Sequence, residues 1–162
     1  MAYQLDNTDR KLLTRVQENS KIGLDVLADH CGLSVPSVQR RLKKLRDSGV
    51  IQQEVAVVSP ASLGYFMTFV VMVELEREAL HQLDGFRKRV KSEPQVQQCY
   101  YVTGEADFIL ICTARDMQDF EVLTHKLFFD DSNVRRFRTS VVMERSKVSL
   151  NIPCENNGPE RD

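Results

Sequence analysis

The chain has 162 residues, 42% of them hydrophobic and 28% charged, which is an ordinary composition for a globular protein of one or two small domains. It holds no apolar run of about 18 residues and does not open on a basic segment followed by an apolar one, so we predict neither a membrane span nor a signal peptide. The formal net charge is only −1, which excludes a uniformly basic protein and directs attention to local concentrations of charge.

The four cysteines and three histidines are scattered along the sequence. No Cys-x-x-Cys pair occurs, and the histidines lie far apart. Neither set has the spacing of a metal site, although a site assembled in space stays open. We therefore expect no metal and no cofactor, and a reduced, cytoplasmic setting.

The first predicted helix starts at Asn7 or Thr8, either of which can cap it, and stops at Asn19. Its inward face is apolar and contains Leu12, Leu13 and Val16. Two further helices follow, each with apolar residues at helical spacing. The second has Leu24, Leu27, Ala28 and Cys31, and the third has Val35, Val38, Leu42 and Leu45. The first helix has to cover the other two, which predicts a three-helix head.

The turn between the second and third helices has the residues that a helix-turn-helix requires. Gly32 can adopt the left-handed conformation at a helix end. Ser34 is a good N-cap, and Pro36 is tolerated in a first helical turn. Gly49 ends the third helix. A helix, a three-residue turn and a capped helix form the geometry by which a second helix enters the major groove of DNA.

The third helix is basic. Between residues 35 and 48 the basic residues are Arg40, Arg41, Lys43, Lys44 and Arg46, against the single acid Asp47. Arg and Lys contact phosphates or guanine, and Gln suits adenine. The predicted DNA-binding residues are Ser34, Pro36, Ser37, Gln39, Arg40, Arg41, Lys43 and Lys44. The alternative, a charged helix face that only meets solvent, is disfavoured by the turn residues and the matched apolar faces.

The remainder of the chain alternates between strands and helices. Residues 52–58 are rich in valine and predict a linker strand, and residues 59–64 form a turn-rich boundary. Strands are then predicted at 66–75, 96–103, 107–114 and 134–148, and helices at 79–92 and from Asp116 or Gln118 to 129. This β-α-β-β-α-β order predicts a ferredoxin-like domain, giving an α+β fold in total. Its two helices cover one face of the sheet, so we expect a homodimer packed through the other.

The predicted domains are therefore a DNA-binding head (1–51), a linker strand and turn (52–64), an oligomerisation and effector-binding body (65–151) and a mobile tail (152–162).

Short motifs in this order resemble the Lrp/AsnC family of transcription factors over about residues 4–150. In the head they are Leu5-Asp6-x-x-Asp9, Leu27-Ala28, Gly32-Leu33-Ser34, Arg41-Leu42-x-x-Leu45 and Gly49-Val50-Ile51. In the body they are Cys99-Tyr100-Tyr101-Val102-Thr103-Gly104, followed by Asp107. Two positions depart from the usual pattern: Lys21 stands where Arg is common, and Arg46 where an acid is common. Both changes keep or add positive charge.

The resemblance implies that sheets pair in a dimer, that dimers assemble into octameric rings, and that DNA wraps around the outside. It also implies that a small amino acid, leucine-like or methionine-like, binds between dimers near residues 103–107. Physically, Gly104 permits close approach of backbone to a ligand, the turn's N–H groups can accept an α-carboxylate, and Asp107 or Glu105 can meet an α-ammonium. The expected effector-binding residues are Tyr100, Val102, Thr103, Gly104, Glu105, Ala106, Asp107, Thr139 and Ser140.

Three alternatives stay open at this point. The loop can be an ordinary hairpin turn in which Asp107 acts only as a brace. The protein can wrap DNA architecturally, with no effector. An enzyme is the third, with Asp107 and His125 as an imagined acid–base pair, but the sequence has no phosphate loop, nucleophile motif or metal cluster to support it.

Overall fold

The computed structural model describes residues 3–77, 79–129 and 133–154. They form two compact units. One, the head, contains the chain up to Ala56 together with the segment that starts at Lys147, and the other, the body, contains Val57–Ser146. The predicted α+β class, with a helix-turn-helix head and a four-stranded ferredoxin-like body, is confirmed. No helix in the described ranges is long and apolar enough to cross a lipid bilayer.

The head has three helices: α1 (Asn7–Glu18), α2 (Leu24–Cys31) and α3 (Val35–Asp47). Gly32, between α2 and α3, has a φ of 64°, which is the left-handed conformation that the sequence predicts there. The apolar stripes of the three helices meet in one core. Its buried members are Leu12, Leu13, Leu27, Ala28, Val38, Leu42 and Leu45.

Asp6, and neither Asn7 nor Thr8, is the N-cap of α1. Its carboxylate accepts a hydrogen bond of 2.7 Å from the backbone N–H of Asp9, whose own carboxylate accepts one of 3.3 Å from the N–H of Asp6. This reciprocal capping box satisfies two backbone donors at once, so it prevails over a single-sided cap one residue later.

The predicted linker strand does not form. Residues 52–58 have no regular secondary structure, and Val55, Val57 and Val58 are exposed. A strand is stable only when its backbone groups pair with a neighbour, and no described strand pairs with this segment. A short 3₁₀ turn, Ala61–Leu63, then leads into the body.

The body follows the predicted order of elements. It consists of β1 (Met67–Leu75), α4 (Leu80–Ser92), β2 (Val96–Tyr101), β3 (Phe108–Ala114), α5 (Met117–Thr124), a π-helical turn (His125–Phe129) and β4 (Val134–Val141). The strands lie in the order β2-β3-β1-β4, and all neighbours are antiparallel. The last strand is shorter than predicted. It ends at Val141, opposite Phe69; the N–H of Val142 still donates to Thr68, and β1 begins only one residue earlier, at Met67.

Side chains alternate across the sheet. Along β1, Phe69, Val71, Val73 and Leu75 are buried and join the core formed with α4 and α5. The stacked rings of Phe69 and Phe120, with centroids 3.7 Å apart, belong to this core. The other face of the sheet carries the half-buried residues Thr68, Val70, Met72, Glu74, Ile109 and Ile111. This face is named the open face below.

Candidate functional site

The basic residues of α3 divide into two groups. Arg40, Lys43 and Lys44 are exposed, and none forms an ion pair with a described residue. Val38, Leu42 and Leu45 are buried in the head core and hold the helix by its opposite side. The three exposed cations therefore lie on a surface that is rigid yet open to a ligand.

Arg41 is half-buried and paired with two carboxylates of the head. Its Nη1 donates to Oδ2 of Asp6 at 2.7 Å and to Oδ1 of Asp9 at 2.8 Å. Asp9 is only 1% exposed and also accepts a hydrogen bond of 3.0 Å from the Tyr3 hydroxyl. We call Tyr3, Asp6, Asp9 and Arg41 the Arg41 cluster. The sequence predicts that Arg41 contacts DNA, and in the structure its hydrogen bonds tie α3 to the start of α1.

The charges in the Arg41 cluster stabilise one another. The backbone N–H of Asp9 and the guanidinium of Arg41 lower the pKa of Asp6 below its usual value. The hydrogen bonds to Asp6 and then Asp9 raise the pKa of Arg41. The cluster is therefore a set of charge-assisted hydrogen bonds, the strong class of such bonds in proteins.

Arg46, one of the two departures from the usual pattern, is also paired. Its Nη2 and Nε donate to the two carboxylate oxygens of Glu54 at 2.8 and 3.1 Å, and this bidentate contact lowers the pKa of Glu54. Glu54 was not singled out from the sequence. Its place eight residues after Arg46 gave no helical spacing that would join the two.

The polar residues at the start of α3 lie beside the exposed cations. Ser34 occupies the N-cap position as predicted, but its hydroxyl donates to the hydroxyl of Ser37 at 3.0 Å and makes no cap bond. Pro36 and Gln39 are exposed. The N-terminal half of α3 is thus a polar surface with a positive edge, of the kind that meets base edges in a major groove.

The loop between β2 and β3 is fixed largely by Asp107. Its N–H donates to the carbonyl of Val73 at 2.9 Å, its Oδ2 accepts from the N–H of Leu75 at 2.6 Å, and its carbonyl accepts from Val102 at 2.9 Å. Its carboxylate is therefore engaged in holding the loop against β1. These are the contacts that the bracing alternative predicts for Asp107.

The other residues of the loop differ in exposure. Ala106 is buried, while Thr103, Gly104 and Glu105 are exposed. Gly104 has a φ of 124°, a conformation that L side chains rarely adopt, and a Cβ there would meet open space. The turn is consequently thin, with its backbone open to approach.

A set of charged side chains on the open face reaches toward this loop. Glu74 accepts hydrogen bonds from Arg136 at 2.7 Å and Arg138 at 2.8 Å, and these two contacts lower its pKa. A second nitrogen of Arg138 lies 3.6 Å from the carboxylate of Glu105. Sequence reasoning did not select Glu74 or the two arginines. Arg136 and Arg138 are two residues apart on β4, which places them on the same face of that strand. Only the register with β1 shows that Glu74 lies on this face as well.

The remaining predicted effector residues are not gathered at the loop within one chain. Thr139 and Ser140 lie opposite Val71 and Val70, nearer the start of β1 than the Val73–Leu75 stretch that the loop touches, and they point to opposite faces of the sheet. The exposed Tyr100 lies on β2, and its hydroxyl donates to Gln98 at 3.0 Å.

Among the described residues, no three His, Cys, Asp or Glu side chains are grouped as a metal site. His125 stacks on the ring of Phe129 with centroids 4.7 Å apart, whereas the Asp107 carboxylate is engaged with backbone on β1.

Comparison with known proteins gives two family matches. Residues 5–52 match the model described as winged helix-turn-helix DNA-binding, and residues 68–152 match the Lrp/AsnC ligand binding domain. An HTH-type transcriptional regulator from Sinorhizobium fredii is 44% identical over 154 residues, covering 95% of this chain and 91% of the relative. The leucine-responsive regulatory protein of Rhizobium meliloti is 32% identical, covering 92% and 96%.

The solved structures agree with the sequence matches. A transcriptional regulator of Neisseria meningitidis, solved as a complex with L-methionine, has 30% identity and a TM-score of 0.86, covering 93% of this chain and 97% of that one. The similarity spans both head and body.

Proposed function

Since this chain belongs to the Lrp/AsnC family of transcriptional regulators, we propose that it binds specific operators in double-stranded DNA and that a small amino acid alters its assembly or its operator affinity. The relatives are transcriptional regulators, and the chain is a DNA-binding regulator, not an enzyme.

One observation supports the DNA-binding surface most directly. Arg40, Lys43 and Lys44 are exposed and unpaired with described residues, whereas the two other cations of α3 are engaged by carboxylates. A cation without a protein partner is available to contact DNA phosphates or the edges of guanine bases. When it neutralises a phosphate, counterions are released from the DNA, and this release favours binding. We assign base and phosphate contacts to these three residues and to Ser34, Pro36, Ser37 and Gln39.

The open face supports a homodimer. Val70, Met72, Ile109 and Ile111 form half-buried apolar surface there, and a second sheet packed against it would remove that surface from water. Two heads per dimer would read a pseudo-palindrome with half-sites on one side of the duplex. A tetramer of dimers would multiply this contact.

We place the effector near the β2–β3 loop, at a contact between dimers. The relative that was solved with L-methionine supports a methionine-like or leucine-like amino acid. Gly104 leaves the loop backbone accessible, Arg138 can meet an α-carboxylate, and Glu105, which is 80% exposed, can meet an α-ammonium. Tyr100, Val102, Thr139 and Ser140 are proposed walls, with part of the pocket supplied by another copy.

The DNA assignment is tested by selecting an operator from randomised duplexes and measuring affinity by fluorescence anisotropy. The double variant Arg40→Ala/Lys43→Ala is expected to bind the operator roughly thirtyfold more weakly, or worse, if each residue contributes about 1–3 kcal/mol. The matched control, Lys88→Ala/Lys91→Ala, removes the same charge from exposed positions on α4 and should bind normally. Unchanged affinity in the first variant would refute the assigned surface.

The effector is tested by thermal melting with each of the twenty amino acids at millimolar concentration. A ligand that prefers the folded assembly raises the melting temperature by mass action. A shift for methionine or leucine, absent in Glu105→Ala, supports the proposed site. No shift with any amino acid, together with binding that competitor DNA removes, would favour the architectural alternative.

A further inference from the structure

The C-terminal segment, residues 147–154, returns to the head and its end is seated on α1. Gln17 binds both backbone groups of one residue: its Nε2 donates to the carbonyl of Ile152 at 3.0 Å, and its Oε1 accepts from the N–H of Ile152 at 2.8 Å. A side-chain amide that satisfies both groups of one residue recognises backbone much as a neighbouring strand does. Residues 152–154 are therefore docked, not a mobile tail as the sequence predicts, and residues 155–162 of that predicted tail lie outside the described chain.

Cys154 completes this contact. Its carbonyl accepts a hydrogen bond of 3.3 Å from Arg10 on α1, and its Sγ lies 3.1 Å from Nε2 of Gln17. The side chain is half-buried and packs against the apolar core of the head. The segment thus combines hydrogen bonds to α1 with burial in the head core, while the exposed cations of α3 are left clear.

The chain crosses between head and body twice, once after Ala56 and once before Lys147. The first crossing runs through residues 52–58, which have no regular structure. A single irregular linker leaves a head free to sample many positions. A second attachment, made only when the C-terminal segment is docked, reduces that freedom.

We infer that the C-terminal segment is a second tether between body and head. Its docking on α1 limits the positions that each head can adopt, and so determines which spacings between DNA half-sites a dimer can bind. The inference rests on the proposed reading of two-part operators. Binding both half-sites costs conformational entropy, because two heads must be ordered at once. Docking orders the heads before DNA binds, so it raises the affinity for the paired operator and leaves the affinity for an isolated half-site unchanged.

Docking is tested first, without DNA, by the rate at which iodoacetamide alkylates each cysteine of the full chain, read by peptide mass spectrometry. Gln17→Ala and Ile152→Pro remove partners on opposite sides of the contact, and the second changes no residue of the three helices. Both are expected to speed alkylation of Cys154 by roughly five- to tenfold, with exposed Cys99 unchanged as internal reference. Gln118→Ala, an exposed glutamine on α5, is the matched control. Equal Cys154 rates in all four proteins would overturn the docking.

The tether is tested next with duplexes selected by the wild-type protein. Gln17→Ala and Ile152→Pro should bind the two-half-site operator roughly three- to tenfold more weakly, tolerate a wider range of spacings, and bind a single half-site as the wild type does. Unchanged spacing preference, or equal loss on both duplexes, would overturn the inference. If the wild type selects no sequence at all, the proposed function fails, and the alkylation result still decides whether the segment docks.

Discussion

Replacing Arg41 by alanine should destabilise the head, although Arg41 belongs to the basic run of α3. The change leaves the carboxylate of Asp9, 1% exposed, without its cation and close to the carboxylate of Asp6. Removing one partner of a fully buried ion pair costs about 3–5 kcal/mol. Because the Arg41 side chain keeps 28% of its exposure, solvent screens part of this, and about 2 kcal/mol is the expected loss.

The assay is hydrogen exchange of the backbone amides, read for peptides of α1 and α3 in the full chain. A loss of about 2 kcal/mol raises the open population of the head roughly thirtyfold, since each 1.4 kcal/mol is tenfold. Peptides of β1 and β3, in the body, serve as the internal control and should not change. Arg40→Ala is the matched variant: it should lose operator binding with exchange in α1 and α3 at the wild-type rate.

The reasoning is refuted if Arg41→Ala exchanges like the wild type and yet loses the operator. That result would return Arg41 to the DNA contacts that the sequence predicts for it.

Three further predictions concern the head at low pH and the β2–β3 loop. The folded-state pKa of Asp6 is lowered, so the ionised Asp6 side chain stabilises the head fully above the ordinary pKa of an aspartate. That stabilisation is lost as the pH falls through the folded-state pKa. Circular dichroism should therefore show the head losing stability below about pH 4, and the loss should be less steep in Arg41→Ala. Asp107→Ala removes the acceptor for the N–H of Leu75 and should lower stability by about 1–3 kcal/mol in urea unfolding, with the exposed Asp84→Ala as control. Gly104→Val meets no neighbouring atom but forces a side chain to a φ of 124°, so it should cost about 1–3 kcal/mol; a melting temperature equal to the wild type would contradict the strain.

The elements of this fold follow from local patterns that one sequence carries. Helical spacing of leucine and valine predicts α1, α2 and α3, and Gly32 predicts the turn with its left-handed backbone. Alternation of β-branched residues predicts β1 and β3. These signals are local because each depends on a residue and its neighbours within one or two turns.

What sequence reasoning missed depends on partners distant along the chain. Arg41 reads as a DNA contact because nothing local reveals that Asp6 and Asp9, 35 and 32 positions earlier, will meet it. Residues 152–154 read as a tail because the residues that hold them are distant: Gln17 lies 135 positions before Ile152, and Arg10 lies 144 positions before Cys154. The valines of residues 52–58 predict a strand by propensity, but a strand also requires a neighbour, which propensity does not report.

The division of labour on α3 has a consequence for how such a regulator diversifies. Substitutions at exposed positions away from packing or ion pairs usually change stability by less than about 0.5 kcal/mol. Arg40, Lys43 and Lys44 are of this kind, so new target sequences can be sampled one residue at a time by a head that stays folded. Arg41 lies among them in sequence but is under a different constraint, because its loss destabilises the head that presents the others. In regulators built this way, the DNA sequence that is recognised can change more readily than the packing of the head that presents the recognising residues.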